Sequence, residues 1–136
     1  MALVMDAGIL FAQADQSELY HREVVELLLH EREALVTTEL AVAEADYLIL
    51  TRLGLEAELA FLDDLADGTF VVDCLTRVEL GEARAVARSY RDLRPGLADC
   101  SLVVLAKRYK TSRVATLNQR DFRAMKPLQG GMFSIL

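Results

Sequence analysis

The feature that most constrains this chain is the alternation of short apolar runs with longer stretches of helical spacing. Ala2-Leu3-Val4-Met5 is an apolar run closed by Asp6. Ala34 to Thr37, Thr69 to Cys74, Arg113 to Thr116 and Met132 to Leu136 have strand length and composition too. Between them, residues 7–14, 39–53, 55–66, 77–91 and 97–109 read as helices, and 119–123 as one helical turn. A further helix is expected to about Arg32, capped by Asp15 or Ser17, with Tyr20, Val24, Leu27 and Leu28 on one face. Thr38 is placed to cap the helix after the second strand, Gly54 and Gly68 act as stops, and Pro95-Gly96 marks a loop. Short buried strands alternating with amphipathic helices predict an α/β fold. The expectation is one three-layer domain over residues 1–136, a mainly parallel sheet covered by helices on both faces. Ligands in such sheets gather beyond the carboxyl ends of the strands.

Composition excludes several alternatives. With 53% apolar and 26% charged residues the chain is not of a disordered class. The longest stretch without Asp, Glu, Lys or Arg is Pro127 to Leu136, too short to span a membrane as a helix. Met1 to Asp6 lacks a basic leader, so a cytoplasmic location is expected. Cys74 and Cys100 have no zinc-site spacing and are expected to be buried thiols. The net charge of −6 argues, as a mean, against a nucleic-acid partner. The mean hides an asymmetry: residues 1–73 hold 16 acids and 3 bases, a net of −13, while residues 74–136 hold 5 acids and 12 bases, a net of +7. This can reflect polyanion contact, or two faces that attract each other in the fold.

Each acid with a potential role also has an ordinary one. Asp6, just after the first strand, can cap the following helix. Glu44 has Leu40 at i−4 and Leu48 at i+4, with no Lys or Arg at i±3 or i±4, so its face is expected to point inward. Asp99 falls in the first turn of its helix, where a carboxylate suits the dipole, with Ser101 near enough to orient it. Asn118 and Asp121 follow the fourth strand and can make an Asx turn and a pair with Arg120 or Arg123. Together, though, these residues converge on one predicted edge of the sheet. Clustered carboxylates without a base repel unless a cation joins them, and hard oxygen donors select Mg²⁺ or Mn²⁺. Such a site can activate water against a phosphodiester.

Four segments, in order, carry a family resemblance. Leu3-Val4-Met5-Asp6-Ala7-Gly8-Ile9-Leu10 resembles the opening of PIN domains. Thr37-Thr38 with Glu44-Ala45-Asp46-Tyr47-Leu48 resembles their second motif, Leu97 to Ala106 the third, and Val114 to Phe122 the fourth. His21 falls where these proteins often carry histidine. The resemblance is to VapC-type toxins, and it implies an Mg²⁺- or Mn²⁺-dependent endoribonuclease acting on structured RNA such as tRNA or rRNA. It also implies a cognate antitoxin and a homodimer. Carried over by position, Asp6, Glu44 and Asp99 match the acidic triad, and Thr116 and Thr38 match supporting hydroxyls. Asn118 stands where a fourth acid is common, with Asp121 three residues on to compensate. The alternative is a PIN-like RNA- or protein-binding module weakened in catalysis by Asn118. Arg84, Arg88 and Arg91, with Arg77, form one stripe of a helix and are the candidate RNA contacts, a solvated helix face being the ordinary reading. The stretches Leu55 to Leu65 and Tyr20 to Leu29 can offer an apolar face to the antitoxin or a second copy.

Overall fold

The structure, a computed structural model, describes residues 1–136. Five strands form one sheet: β1 (Leu3–Met5), β2 (Leu35–Thr38), β3 (Val71–Asp73), β4 (Arg113–Ala115) and β5 (Ser134–Ile135). Their spatial order is β3-β2-β1-β4-β5, and every neighbouring pair is parallel. Seven helices connect and cover them: α1 (Ala7–Ala14), α2 (His21–His30), α3 (Glu39–Leu53), α4 (Leu55–Ala66), α5 (Arg77–Ser89), α6 (Gly96–Arg108) and α7 (Gln119–Ala124). Successive side chains of a strand point to opposite faces, and Leu3, Val4 and Met5 are all fully buried. Both faces of the sheet are therefore covered, as a three-layer α/β fold requires. No helix is long and apolar enough to cross a membrane.

The order of the strands positions the site. β1 lies between β2 and β4, so the chain runs outward on one side of β1 and returns on the other. The crevice at the carboxyl ends of β1 and β4 is a topological switch point. Asp6 follows β1 there, and its backbone N–H donates to the Ala115 carbonyl at 3.3 Å.

Several expected boundaries shift for local reasons. Neither Asp15 nor Ser17 caps α2. The Asp15 carboxylate instead accepts the Ser17 N–H at 3.0 Å and its hydroxyl at 2.7 Å, a closed local turn, and α2 starts at His21. His21 Nδ1 lies 2.7 Å from the Ala12 carbonyl, a group at the end of α1 with no partner within its helix, so this histidine joins two helices. Thr69 donates its N–H to the Asp64 carbonyl at the end of α4, and the sheet takes up the chain only at Val71. On α4 the side chain in the core is Phe61, leaving Leu55, Leu59 and Leu62 exposed. Cys74 is exposed, contrary to expectation, whereas Cys100 is buried.

Candidate functional site

A cleft of about 750 Å³ opens at the switch point. Its walls come from the end of β1 and the start of α1 (Asp6, Ala7, Gly8), from α3 (Leu40, Glu44), from the stretch Pro95 to Asp99 and from Leu117-Asn118 after β4. Asp6, Glu44, Asp99 and Asn118, distant in sequence, thus share one cavity. No lysine, arginine or histidine lines it.

Asp6 is fixed from two sides. As the N-cap of α1, its Oδ1 accepts the Ile9 N–H at 2.9 Å. Its Oδ2 accepts the Thr116 hydroxyl in a short hydrogen bond. The Thr116 oxygen in turn accepts the Asn118 N–H at 2.8 Å, so one threonine sets both the Asp6 rotamer and the path of the chain after β4. Burial pushes the Asp6 pKa above the ordinary carboxylate value and the nearby Glu44 adds to it, while the Thr116 and Ile9 hydrogen bonds oppose the rise.

Asp99 sits in the first turn of α6, where the helix dipole favours the anion. Its pKa is nevertheless raised to about 7, first by burial and then by Asp6, Glu44 and Asp121. Desolvation first, and then the charge of three neighbouring acids, outweigh the dipole.

Glu44 corrects the expectation of an inward face. It is exposed, on the rim of the cleft. The buried side of α3 is Ala41, Ala45 and Ile49, whose small alanines let the helix lie close to its neighbours and turn Glu44 outward. Ser101 is a second correction. Its hydroxyl donates to the Ala98 carbonyl at 2.6 Å and lies 2.8 Å from Thr38 Oγ1, rather than orienting Asp99. Thr38 caps α3 through the Ala41 N–H and is fully buried outside the cleft wall, so it ties α3 to α6 without facing the cavity.

Asp121 is buried on α7 and is not part of the cleft lining. Its Oδ2 accepts the Asn118 amide at 2.9 Å and its Oδ1 lies 3.3 Å from Arg120. Asn118, which lines the cavity, is thus tied by its amide to Asp121 behind it. Arg84, Arg88 and Arg91 are exposed on α5 and in the turn after it, outside the cleft lining. One cleft feature escapes the sequence reading: Pro95-Gly96 reads only as a loop and forms a wall. A Pro-Gly pair just before an acid-bearing helix, at the sheet edge where ligands gather, is the signal that points to it. Behind the site, the buried Thr37 hydroxyl ties β2 to β1 through the Met5 carbonyl at 2.9 Å.

The donor set of the cavity is oxygen alone. The cleft is lined by the acids Asp6, Glu44 and Asp99 and by Asn118, with no basic side chain to neutralise them. No three histidine, cysteine or acidic side chains stand together as a group that could hold a metal ion by themselves. A small hard cation in this cavity would take one or two of the carboxylates and complete its shell with water and substrate phosphate.

A model of the PIN domain family matches residues 3–127. The chain is 39% identical over 134 residues to Ribonuclease VapC26 of Mycobacterium tuberculosis (strain ATCC 25618 / H37Rv), covering 98% of this chain and 99% of that protein. Among solved structures it resembles Mycobacterium tuberculosis VapC20, a Sarcin-Ricin loop cleaving toxin, with a TM-score of 0.77 at 13% identity over 82% of this chain and 86% of that one. VapBC2 from Rickettsia felis, bound to a DNA fragment from its promoter, gives a TM-score of 0.69 at 14% identity over 100% and 99% of the two chains. FitAcB from Neisseria gonorrhoeae gives 0.56 at 17% identity over 86% and 88%. Matched over nearly its whole length by family model and by relative, the chain belongs to the PIN-domain family, among its VapC-type members.

Proposed function

We propose that this chain is a divalent-metal-dependent endoribonuclease toxin that cleaves structured RNA, tRNA or rRNA, and is held in check by a cognate antitoxin. The observation that carries the reading is the cleft at the switch point. It gathers Asp6, Glu44 and Asp99 around one cavity, with burial and mutual repulsion raising the Asp99 pKa to about 7. The 39% identity to Ribonuclease VapC26 supports the reaction class. VapC20 is a Sarcin-Ricin loop cleaving toxin, which supports a structured RNA as substrate. A VapBC pair on promoter DNA supports an antitoxin partner. Residues 1–136 act as one catalytic unit in the cytoplasm and as a homodimer in this account.

Asp6 and Asp99 would hold the cation, Mg²⁺ or Mn²⁺, with Glu44 on the rim of the cleft as a further carboxylate ligand or as a partner of the metal-bound water. A divalent cation there supplies Lewis-acid activation of water and stabilisation of the charge that builds on the phosphodiester. Thr116 keeps the Asp6 carboxylate aimed through its hydrogen bond. Asn118 gives a neutral oxygen at the cavity edge, and Asp121 orients it by accepting its amide. Ala7, Leu40, Leu97 and Leu117 add apolar wall, which concentrates the electrostatics of the acids.

The test is cleavage of purified tRNA and rRNA with Mg²⁺, with Mn²⁺ and with EDTA, followed by mapping of new 5′ ends in cellular RNA after induction. Discrete cuts that need the cation are expected. RNA binding with no cleavage under either cation would favour the weakened binding module and overturn the enzyme reading.

A further inference from the structure

Of the twelve cations of residues 74–136, four stand in ion pairs: Lys107, Arg108, Arg113 and Arg120, the last 3.3 Å from Asp121. Lys107 meets Glu82 at 2.5 Å, and Arg108 meets Glu79 at 2.5 Å and Asp73 at 3.4 Å. Arg113 takes both oxygens of Glu31, at 2.6 and 3.0 Å. These side chains are neutralised within the fold. Arg77, Arg84, Arg88, Arg91 and Arg94 are exposed, and none joins a salt bridge; Lys110, Arg123 and Lys126, further along the chain, are exposed and outside every ion pair too. The reason lies in how α5 packs. Its acids Glu79 and Glu82 turn to the cations of α6, which leaves the arginine side without counter-charge. Between Glu82 and Asp99 the sequence holds one acid, Asp92, and it too is exposed and outside every ion pair.

The free arginines lead towards the cleft. Arg84 and Arg88, at i and i+4, share a side of α5, Arg91 lies in the turn after it, and Arg94 immediately precedes Pro95 and Gly96, two residues of the cleft wall. The turn that carries Arg94 is held by the Leu93 N–H on the Tyr90 carbonyl at 2.9 Å and the Arg94 N–H on the Arg91 carbonyl at 3.3 Å. The Tyr90 hydroxyl accepts the Lys126 N–H at 2.9 Å, which ties this turn to the segment after α7. Arg94 has φ +49°, a left-handed conformation that disfavours a residue with a side chain. A polyanion entering a cleft lined by carboxylates and no base also needs positive charge close by.

We propose that Arg84, Arg88, Arg91 and Arg94 form a phosphate track that guides the RNA into the cleft, with Arg94, next to the cleft wall, as its positioning residue. The proposal rests on the ribonuclease reading and adds the direction of approach. The paired cations Lys107, Arg108, Arg113 and Arg120 take no part.

The experiment measures binding of a fluorescein-labelled RNA hairpin with a single-stranded loop, by anisotropy in EDTA, across a roughly eightfold range of NaCl that ends near physiological ionic strength. Wild type is compared with Arg84→Gln/Arg88→Gln/Arg91→Gln and with a charge-matched control, Arg22→Gln/Arg32→Gln/Lys110→Gln. The track predicts that the first variant lowers the slope of log K against log[salt] by about 2, since each single-strand phosphate contact contributes about 0.7. The control keeps the wild-type slope, and thermal midpoints of all three agree. Under turnover conditions Arg94→Gln raises KM more than it lowers kcat, and Arg94→Lys recovers part of the loss. An unchanged slope in the track variant, or an equal loss in the control, overturns the proposal. Cleavage with an unaltered slope removes the track alone, whereas slope loss without cleavage removes the nuclease reading and leaves the track standing.

Discussion

Replacing Asp99 by asparagine is predicted to stabilise the metal-free protein, by an amount that grows with pH. The folded-state pKa is about 7 against an ordinary 3.8, because Asp99 is half-buried beside Asp6, Glu44 and Asp121. Between these values the folded chain keeps a proton that the unfolded chain has lost. The stability this proton confers is fully present below the unfolded pKa and is lost as pH rises through the folded one. Each tenfold gain in proton affinity corresponds to about 1.4 kcal/mol, so the rise from 3.8 to about 7 sets a ceiling of about 4 kcal/mol. Asp99 keeps some contact with solvent, which screens the repulsion and brings the expected cost to about 2 kcal/mol. The amide carries no such cost. In EDTA, the thermal midpoint of Asp99→Asn should therefore gain on wild type by about 5–10 °C between about pH 4.5 and about pH 8.5. Mn²⁺ should reverse the order at about pH 8, because a cation that binds only the native carboxylate form raises wild-type stability by linkage. A midpoint difference that does not change with pH would refute the claim that the cleft acids repel one another.

Three further outcomes follow from the same geometry. Thr116→Val removes the donor to Asp6 and the acceptor of the Asn118 N–H, so chemical denaturation should show a loss of about 1–3 kcal/mol, with cleavage falling further than stability alone explains. Asn118→Asp replaces an amide that donates to Asp121 with a carboxylate facing it; half-maximal activity should need less Mn²⁺, while the metal-free protein melts at a lower temperature. Arg94→Gly relieves the left-handed strain, worth about 1–2 kcal/mol, against about 0.4–1 kcal/mol of added unfolded-state entropy, so the melting temperature should hold or rise while KM for RNA increases.

What is legible in the sequence follows from the range of the forces involved. Asp6 announces itself because an apolar run ends on it, and Asp99 because it opens a helix just after Pro95-Gly96; both are local signals at strand or helix ends. The strands β1, β2, β3 and β4 are also legible to within a few residues, since short apolar runs bounded by polar residues leave little freedom. Glu44 is harder. Large Leu40 and Leu48 suggest an inward face, but tertiary packing uses Ala41, Ala45 and Ile49, where small side chains permit close approach. The Ser101 hydroxyl reads as a partner of its sequence neighbour Asp99 and instead meets Thr38, 63 residues away. Likewise Arg84 and Arg108 look alike in sequence. Only the packing of α5 on α6 shows that one is free and the other bound to Glu79.

The central claim, that Asp6, Glu44 and Asp99 hold one cation that drives RNA cleavage, is tested most directly by assaying Asp6→Asn, Glu44→Gln and Asp99→Asn beside wild type on the same tRNA and rRNA substrates in Mn²⁺. Circular dichroism of each variant establishes that the fold is kept. Cation-dependent cuts by wild type and loss of cleavage in all three folded variants are expected. Full activity in all three folded variants would contradict the claim.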